Sequence, residues 1–437
     1  MSTTTAKDAW TRYRSVPIVY RIGAAFVLGS IVGLIVGEPA TLLQPLGDLF
    51  VRLLSMIIVP IIVFTLLMGV RQLSPATLGK IGGQVVALYA ITSAIAVGIG
   101  LAVANLIDPG SGLTLTESEF ETQEAPNAVE VFLRIVPENP VGAMAEGNIL
   151  PIIFFVIVFG IALVLIRDTT EDESLRRGAE GIFRAVETSA EAMFKIVWGV
   201  MEYGVIGVFA LMAATLAQTG AETLVSFGVL VVALAIAVTI HIGVVYLGGL
   251  IALLARQSPA AFLAGSRDAM ITALSIRSSS GTLPVTMSNA DENLRIEEGV
   301  YSFSLPLGAT INMDGTAMYQ GVAAIFAVNL VGGSLTIVEQ FTVVAIAVLA
   351  SIGAAGVPGT GLIMLTLVLT QLDLPLEVVG FVAGIDPILD RLWTMTNITG
   401  DLAVATVVGK WNGALISPMA FGSEKKHRQR RARTTDR

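Results

Sequence analysis

Asp314 and Asp401 stand inside long apolar stretches of this 437-residue chain, each with an asparagine nearby, Asn312 and Asn397. A carboxylate at the centre of a membrane helix costs at least roughly 2.5–3.5 kcal/mol on insertion scales, so each needs a partner. Carboxylates, amide oxygens and backbone carbonyls freed from helical pairing together suit a hard cation such as sodium. A polar network that only ties helices together is the plainer alternative, and protonated carboxylates in a proton-coupled carrier are another. The run Ser278-Ser279-Ser280 offers either a nucleophile or a tip that presents hydroxyls and amides to an anionic ligand. With only His241 and His427 in the chain, a Ser-His-acid arrangement rests on His241. That residue reads more simply as a hydrogen-bonded histidine inside the sixth apolar span.

These groups require a particular solvent around them. The chain is 54% hydrophobic and 14% charged, where soluble domains are roughly a quarter charged. Apolar runs about 20 residues long recur from end to end, which describes one polytopic membrane domain. Arg12, Arg14 and Arg21 flank the first run, Arg176, Arg177 and Arg184 mark the segment from Arg167 to Lys195, and seven basic residues fill Lys425 to Arg437. By the positive-inside rule all three are cytoplasmic and the acidic stretch from Asp108 to Glu124 is external, so both termini lie inside. The net charge of -8 says less than this distribution. The basic tail suits anionic lipid better than nucleic acid. Ile18 to Val36 has no convincing cleavage site after it and reads as a retained helix. The chain contains no cysteine, hence no disulfide or thiolate chemistry.

Punctuation by charge, glycine and proline gives spans near 17–37, 43–70, 81–107, 128–166, 183–219 and 222–255. After Gln257 the runs shorten and are broken at Ser278–Pro284, at Asn312–Thr316 and from Gly353 to Gly361. Irregular backbone at membrane depth is tolerated only where protein buries it or it lines a cavity. Two such breaks, each followed by a polar-interrupted helix, predict inverted repeats over 257–331 and 335–413, with tips at Ser278–Pro284 and Ala354–Gly361.

The stretches SSSGTLPVTM (Ser278 to Met287), LPLGATINMDGTA (Leu305 to Ala317), ASIGAAGVPGTG (Ala350 to Gly361) and the Asp386 to Asp401 segment resemble, in order and spacing, the dicarboxylate/amino acid:cation symporters. That family includes glutamate transporters, archaeal sodium/aspartate symporters and neutral amino acid exchangers, and the match spans nearly the whole chain. The resemblance implies an all-α protein with eight transmembrane helices and two re-entrant hairpins, assembled as a homotrimer in the plasma membrane. Its parts would be a cytoplasmic N-terminus (1–16), six helices (17–255), hairpin 1 (257–293), helix 7 (297–331), hairpin 2 (335–372), helix 8 (376–413) and a basic cytoplasmic tail (414–437). Helices 1, 2, 4 and 5 would form a scaffold, and the rest a unit that moves as an elevator, with hairpin 2 as the gate. An uncoupled anion conductance between scaffold and moving unit is also implied.

The resemblance further implies co-transported sodium. One site would use Tyr89, Thr92, Ser93, Asn312 and Asp314, a second Gly308 backbone with Asn397 and Asp401, and a third backbone around Thr310, Ser351, Ile352 and Ala354. Asp390 would hold a substrate α-amino group, and Asn397 with the tip around Ser279 its α-carboxylate. Arg277, Met313, Thr316, Val357, Gly361 and Thr394 would complete the wall. The sequence departs from the pattern at Trp393, where carriers of aspartate and glutamate have an arginine that grips the side-chain carboxylate. An indole offers one donor and no charge, so a neutral amino acid is expected. The rival is an acidic substrate with Arg391 or Arg277 supplying the charge. Arg391 lies about 200° from Trp393 around a helix and would more naturally pair with Asp386 or another carboxylate. A carrier, rather than a channel or an intramembrane hydrolase, should show saturable uptake that collapses when potassium replaces sodium, with no covalent turnover.

Overall fold

The computed structural model describes residues 13, 15–71, 78–111, 133, 136–351 and 360–415. Their regular structure is helical. The first half consists of long apolar rods: α1 (Ile18–Val36), α2 (Gln44–Arg71), α3 (Gly83–Ile107), a short α4 (Pro140–Glu146), α5 (Ile149–Thr169), α6 (Glu173–Thr219) and α7 (Glu222–Ile240). The last continues without a gap into a π-wound segment, His241–Leu254. The second half is made of shorter pieces: α8 (Pro259–Ile276), α9 (Ser279–Ser288), α10 (Glu298–Ile311), α11 (Asp314–Leu330), α12 (Ile337–Ser351), α13 (Thr360–Gln371) and one long rod, α14 (Glu377–Trp411). Among the described residues, five helical stretches are long and apolar enough to cross a membrane: 38–71, 80–107, 151–169, 173–219 and 222–254.

Three boundaries differ from the sequence-based expectation. From residue 136 on, the span expected at 128–166 is divided into α4, which Asn139 caps through hydrogen bonds from the backbone of Val141 and Gly142, and α5. Gly147, in the left-handed region, ends α4 before α5 starts. The segment from Arg167 to Lys195 is mostly helix, because α6 runs unbroken for 47 residues. Asp172 caps it by accepting from Ser174 and Leu175, and those bonds hold its carboxyl below the usual carboxylate range. Finally, only the first of the two polar helices is interrupted: α10 and α11 are separated at Asn312 and Met313, whereas α14 stays continuous. In α14 the polar residues recur at helical spacing on one face, so the backbone ladder need not open to present them.

Two packing groups result. α1, α2 and α5 pack on α6, while α3 lies along α11 and α12. The α1–α6 contact is close because Gly29 and Gly33, spaced GxxxG, sit directly on the α6 backbone at Phe209 and Ala213. α8 and α9 form a hairpin whose legs are tied by Asn289, which accepts from the Ala269 amide (2.8 Å), and by Asn293, which donates to the Gly265 carbonyl (3.2 Å). α14 packs against this hairpin, α10, α11, α13 and the π-wound segment, and also reaches α1, α2 and α6.

One buried ion pair pins α1 to α6: Arg21 holds both oxygens of Glu202 at 2.6 and 2.8 Å. Arg21→Met alone should destabilise the detergent-solubilised protein by about 3 kcal/mol, since the Glu202 carboxylate loses its guanidinium partner, and Arg21→Met with Glu202→Met should recover most of the loss in a thermal-unfolding cycle.

Candidate functional site

The break between α10 and α11 decides where the carboxylates meet. Asn312 (φ -89°, ψ 82°) and Met313 (φ -109°, ψ 48°) leave helical geometry, and α11 restarts at Asp314. A carboxylate in the first turn of a helix is stabilised by the N-terminal amides and the axial dipole. Asp314 is wholly buried. Its Oδ1 accepts from the Ser93 hydroxyl of α3 (2.5 Å) and its Oδ2 from the Tyr246 hydroxyl (2.7 Å), with His241 Nε2 at 3.4 Å.

Asp401 of α14 accepts at 2.8 Å from the Asn312 amide nitrogen. This leaves Asn312 Oδ1, a buried acceptor, without a partner among the described residues. Tyr89 donates to the Ser304 carbonyl at 3.0 Å, and its hydroxyl together with Asp401 Oδ1 crowds the Cα of Gly308. A β-carbon at position 308 would collide with both oxygens. Thr92 is buried one turn along from Tyr89, bonded to the Tyr89 carbonyl at 3.2 Å. Carboxylates, an orphan amide oxygen, hydroxyls and a glycine cradle thus converge in one buried place. That donor set fits a dehydrated monovalent cation, which needs oxygen ligands in quantity rather than high net charge.

The third set of expected cation ligands is only partly visible. Thr310 bonds the Leu307 carbonyl and Ser351 the Val348 carbonyl at the end of α12. Ile352 and Ala354 lie outside the described residues, as does Val357 of the expected substrate wall.

A second cluster lies along α14. Asp390 accepts from Thr394 (2.9 Å) and from the Arg277 guanidinium (3.3 Å) at the α8–α9 turn. Arg277 reaches it because its backbone adopts φ 55°, a left-handed conformation uncommon for a side-chain-bearing residue. Ser278 then caps α9 by accepting from the Gly281 amide at 3.0 Å, and Ser279 starts that helix, buried. Asn397 joins the two clusters: its Oδ1 accepts from the Gly315 amide at 2.7 Å, and its Nδ2 donates to Met313 Sδ (3.2 Å) and Thr316 Oγ1 (3.3 Å). Trp393 is buried, its ring 4.5 Å from that of Tyr319 and pressed on Gly361. The expected Arg391–Asp386 pair is not formed. Arg391 donates to the Pro387 carbonyl at 2.6 Å, and Asp386 Oδ1 has no partner among the described residues. The i−4 carbonyl of its own helix is simply nearer to the Arg391 guanidinium.

The structure brings Ser93, Asn312, Asp314 and Asp401 into the first cluster and Asp390 and Asn397 into the second. Tyr246 and Tyr319 were not expected there, and the hydrogen-bonded histidine expected at position 241 lies beside Asp314. His241 and Tyr246 are five residues apart, about 140° on an α-helix, and share a face only because this segment is π-wound. Their rings meet edge-on at 4.5 Å.

Residues 18–411 match the sodium:dicarboxylate symporter family. The chain belongs to that family. It is 36% identical to the proton/sodium-glutamate symport protein of Bacillus subtilis, covering 90% of this chain and 92% of that protein. It is 33% identical to the proton/glutamate-aspartate symporter of Escherichia coli (88% of each) and 29% identical to a C4-dicarboxylate transport protein of Laribacter hongkongensis (92% and 90%). As a membrane symporter it is not an enzyme, and the serine run is a helix cap and hairpin tip rather than a nucleophile.

Gly308→Ala should weaken sodium binding at least about tenfold, read as the sodium-dependent rise in melting temperature of the purified protein. An unchanged sodium response would mean that the approach of Asp401 and Tyr89 to Gly308 has no bearing on the cation.

Proposed function

We propose that this symporter couples sodium to the uptake of an amino acid with an uncharged side chain. Trp393 carries the second half of that statement. At the position where the resemblance puts a carboxylate-gripping arginine there is a buried indole packed at a tilt against Tyr319, and Arg391 is committed to a backbone carbonyl. A carboxylate side chain brought there would lose water without gaining a counter-ion, which costs a few kcal/mol or more. Each 1.4 kcal/mol is about tenfold in affinity.

Asp390 would take the α-amino group, exchanging one cationic donor, Arg277, for another. Released, the Arg277 guanidinium would turn to the α-carboxylate beside Ser279 and Asn397. Two sodium ions would sit at the Asp314 and Asp401 carboxylates. Ion and amino acid are linked because Asn397 bonds both the start of α11 and Thr316. In this proposal the chain works as a homotrimer in the plasma membrane, with eight crossings, both termini cytoplasmic, α3, α7 with the π-wound segment, and α8–α14 moving as the elevator, and no nucleic-acid partner.

A second possibility has its own support. The relatives are named for glutamate, glutamate-aspartate and C4-dicarboxylate transport, and Arg277 is a buried cation already at the site. In that case Arg277 reads an acidic side chain.

Sodium-driven uptake into proteoliposomes decides between them. With a neutral carrier, alanine, serine or threonine competes at least tenfold better than aspartate or glutamate, and Trp393→Arg reverses the order. Strong aspartate or glutamate uptake in the unaltered protein, with no response to neutral amino acids, establishes the acidic carrier.

A further inference from the structure

Asp386 is a carboxylate on the working face of α14 to which neither the cation half nor the amino-acid clamp gives a role. At 100° per residue, Asp386, Asp390, Trp393, Asn397 and Asp401 fall within an arc of about 80°. Asp386 lies between Asp390 and Trp393 in that arc, one turn towards the helix start. It is 3% exposed, and its Oδ1 has no hydrogen-bond partner among the described residues. Both nearby arginines are engaged elsewhere, Arg277 on Asp390 and Arg391 on the Pro387 carbonyl. The Tyr319 hydroxyl is also buried without a partner among the described residues, and Tyr319 interacts electrostatically with both Asp386 and Asp390 while its ring lies tilted against that of Trp393, 4.5 Å between centroids. Buried acceptors are normally satisfied, and one that is not points to a donor supplied from outside the protein.

We propose that Asp386, with the Tyr319 hydroxyl, is the subsite that reads a hydrogen-bond donor on the substrate's side chain. Trp393 shapes the apolar wall of the same subsite. The inference rests on the neutral amino-acid reading and narrows it to side chains ending in a hydroxyl or amide. A carboxylate that must find a donor discriminates strongly against an isostere lacking one, whereas an apolar pocket hardly separates the two. The same carboxylate repels an acidic side chain.

Threonine and valine are the matched pair for the test, as unlabelled competitors of sodium-driven uptake into proteoliposomes. Threonine should compete at least tenfold better than valine in the unaltered protein. Asp386→Ala should bring the two within about twofold by weakening threonine while sparing valine, and leave the sodium-dependent rise in melting temperature unchanged. Equal competition by threonine and valine in the unaltered protein overturns the inference and leaves the neutral carrier standing, and this arm needs no variant to fold. Competition by glutamate or aspartate alone overturns both. An Asp386→Ala protein that loses threonine and valine equally, with its sodium response intact, assigns Asp386 to the common amino-acid clamp and overturns the subsite.

Discussion

Burying carboxylate in a protein that sits in lipid is the constraint on which the rest of this structure depends. Asp314, Asp386, Asp390 and Asp401 are all almost completely enclosed, and each isolated charge would cost several kcal/mol or more. The fold answers each one differently. Asp314 begins a helix and receives two hydroxyls and an imidazole. Asp401 receives the Asn312 amide, Asp390 an arginine and a threonine, and Asp386 none of these. Asp314 is thus the most fully bonded of the four, and Asp401 and Asp386 keep the most acceptor capacity free.

The geometry that makes this possible is a single interruption. Were α10 and α11 one continuous helix, the directions of Asn312 and Asp314 would be fixed about 200° apart around it. Breaking the backbone at Asn312–Met313 turns one towards Asp401 and the other towards Ser93 and Tyr246. α14 can stay intact because its own polar residues already share a face. Gly308, Gly315 and Gly400 let the surrounding elements approach until side chains of any size would collide with Asp401, the Trp393 backbone or Tyr246.

The two halves of the site are tied by Asn397, yet they use opposite chemistry. The cation half is hydroxyls, an amide oxygen and carboxylates. The substrate half sets one arginine, held by a left-handed backbone residue, against two carboxylates and an aromatic pair. In the proposed reading Trp393 belongs to this second half, which would make coupling and substrate choice separable.

Composition and the length of the apolar runs by themselves determined that this is a helical membrane protein, because hydrocarbon leaves the backbone few other ways to pair. Asn312, Asp314, Asn397 and Asp401 stood out as polar residues within apolar stretches, because a broken span and a buried carboxylate are both written locally, whereas Asp390 entered only through the resemblance. Element ends were less legible: the described part of the expected span at 128–166 divides into α4 and α5, and α6 starts at Glu173, ten residues before the expected span at 183–219. Partnerships across elements could not be read at all. Tyr246 on Asp314 depends on π-winding that side-chain pattern does not encode, Arg277 on Asp390 joins residues 113 apart through a turn conformation, and Arg391 chose a carbonyl over Asp386. Such contacts are settled by which packed arrangement leaves the fewest buried polar groups unmet, a property of the whole fold rather than of any segment.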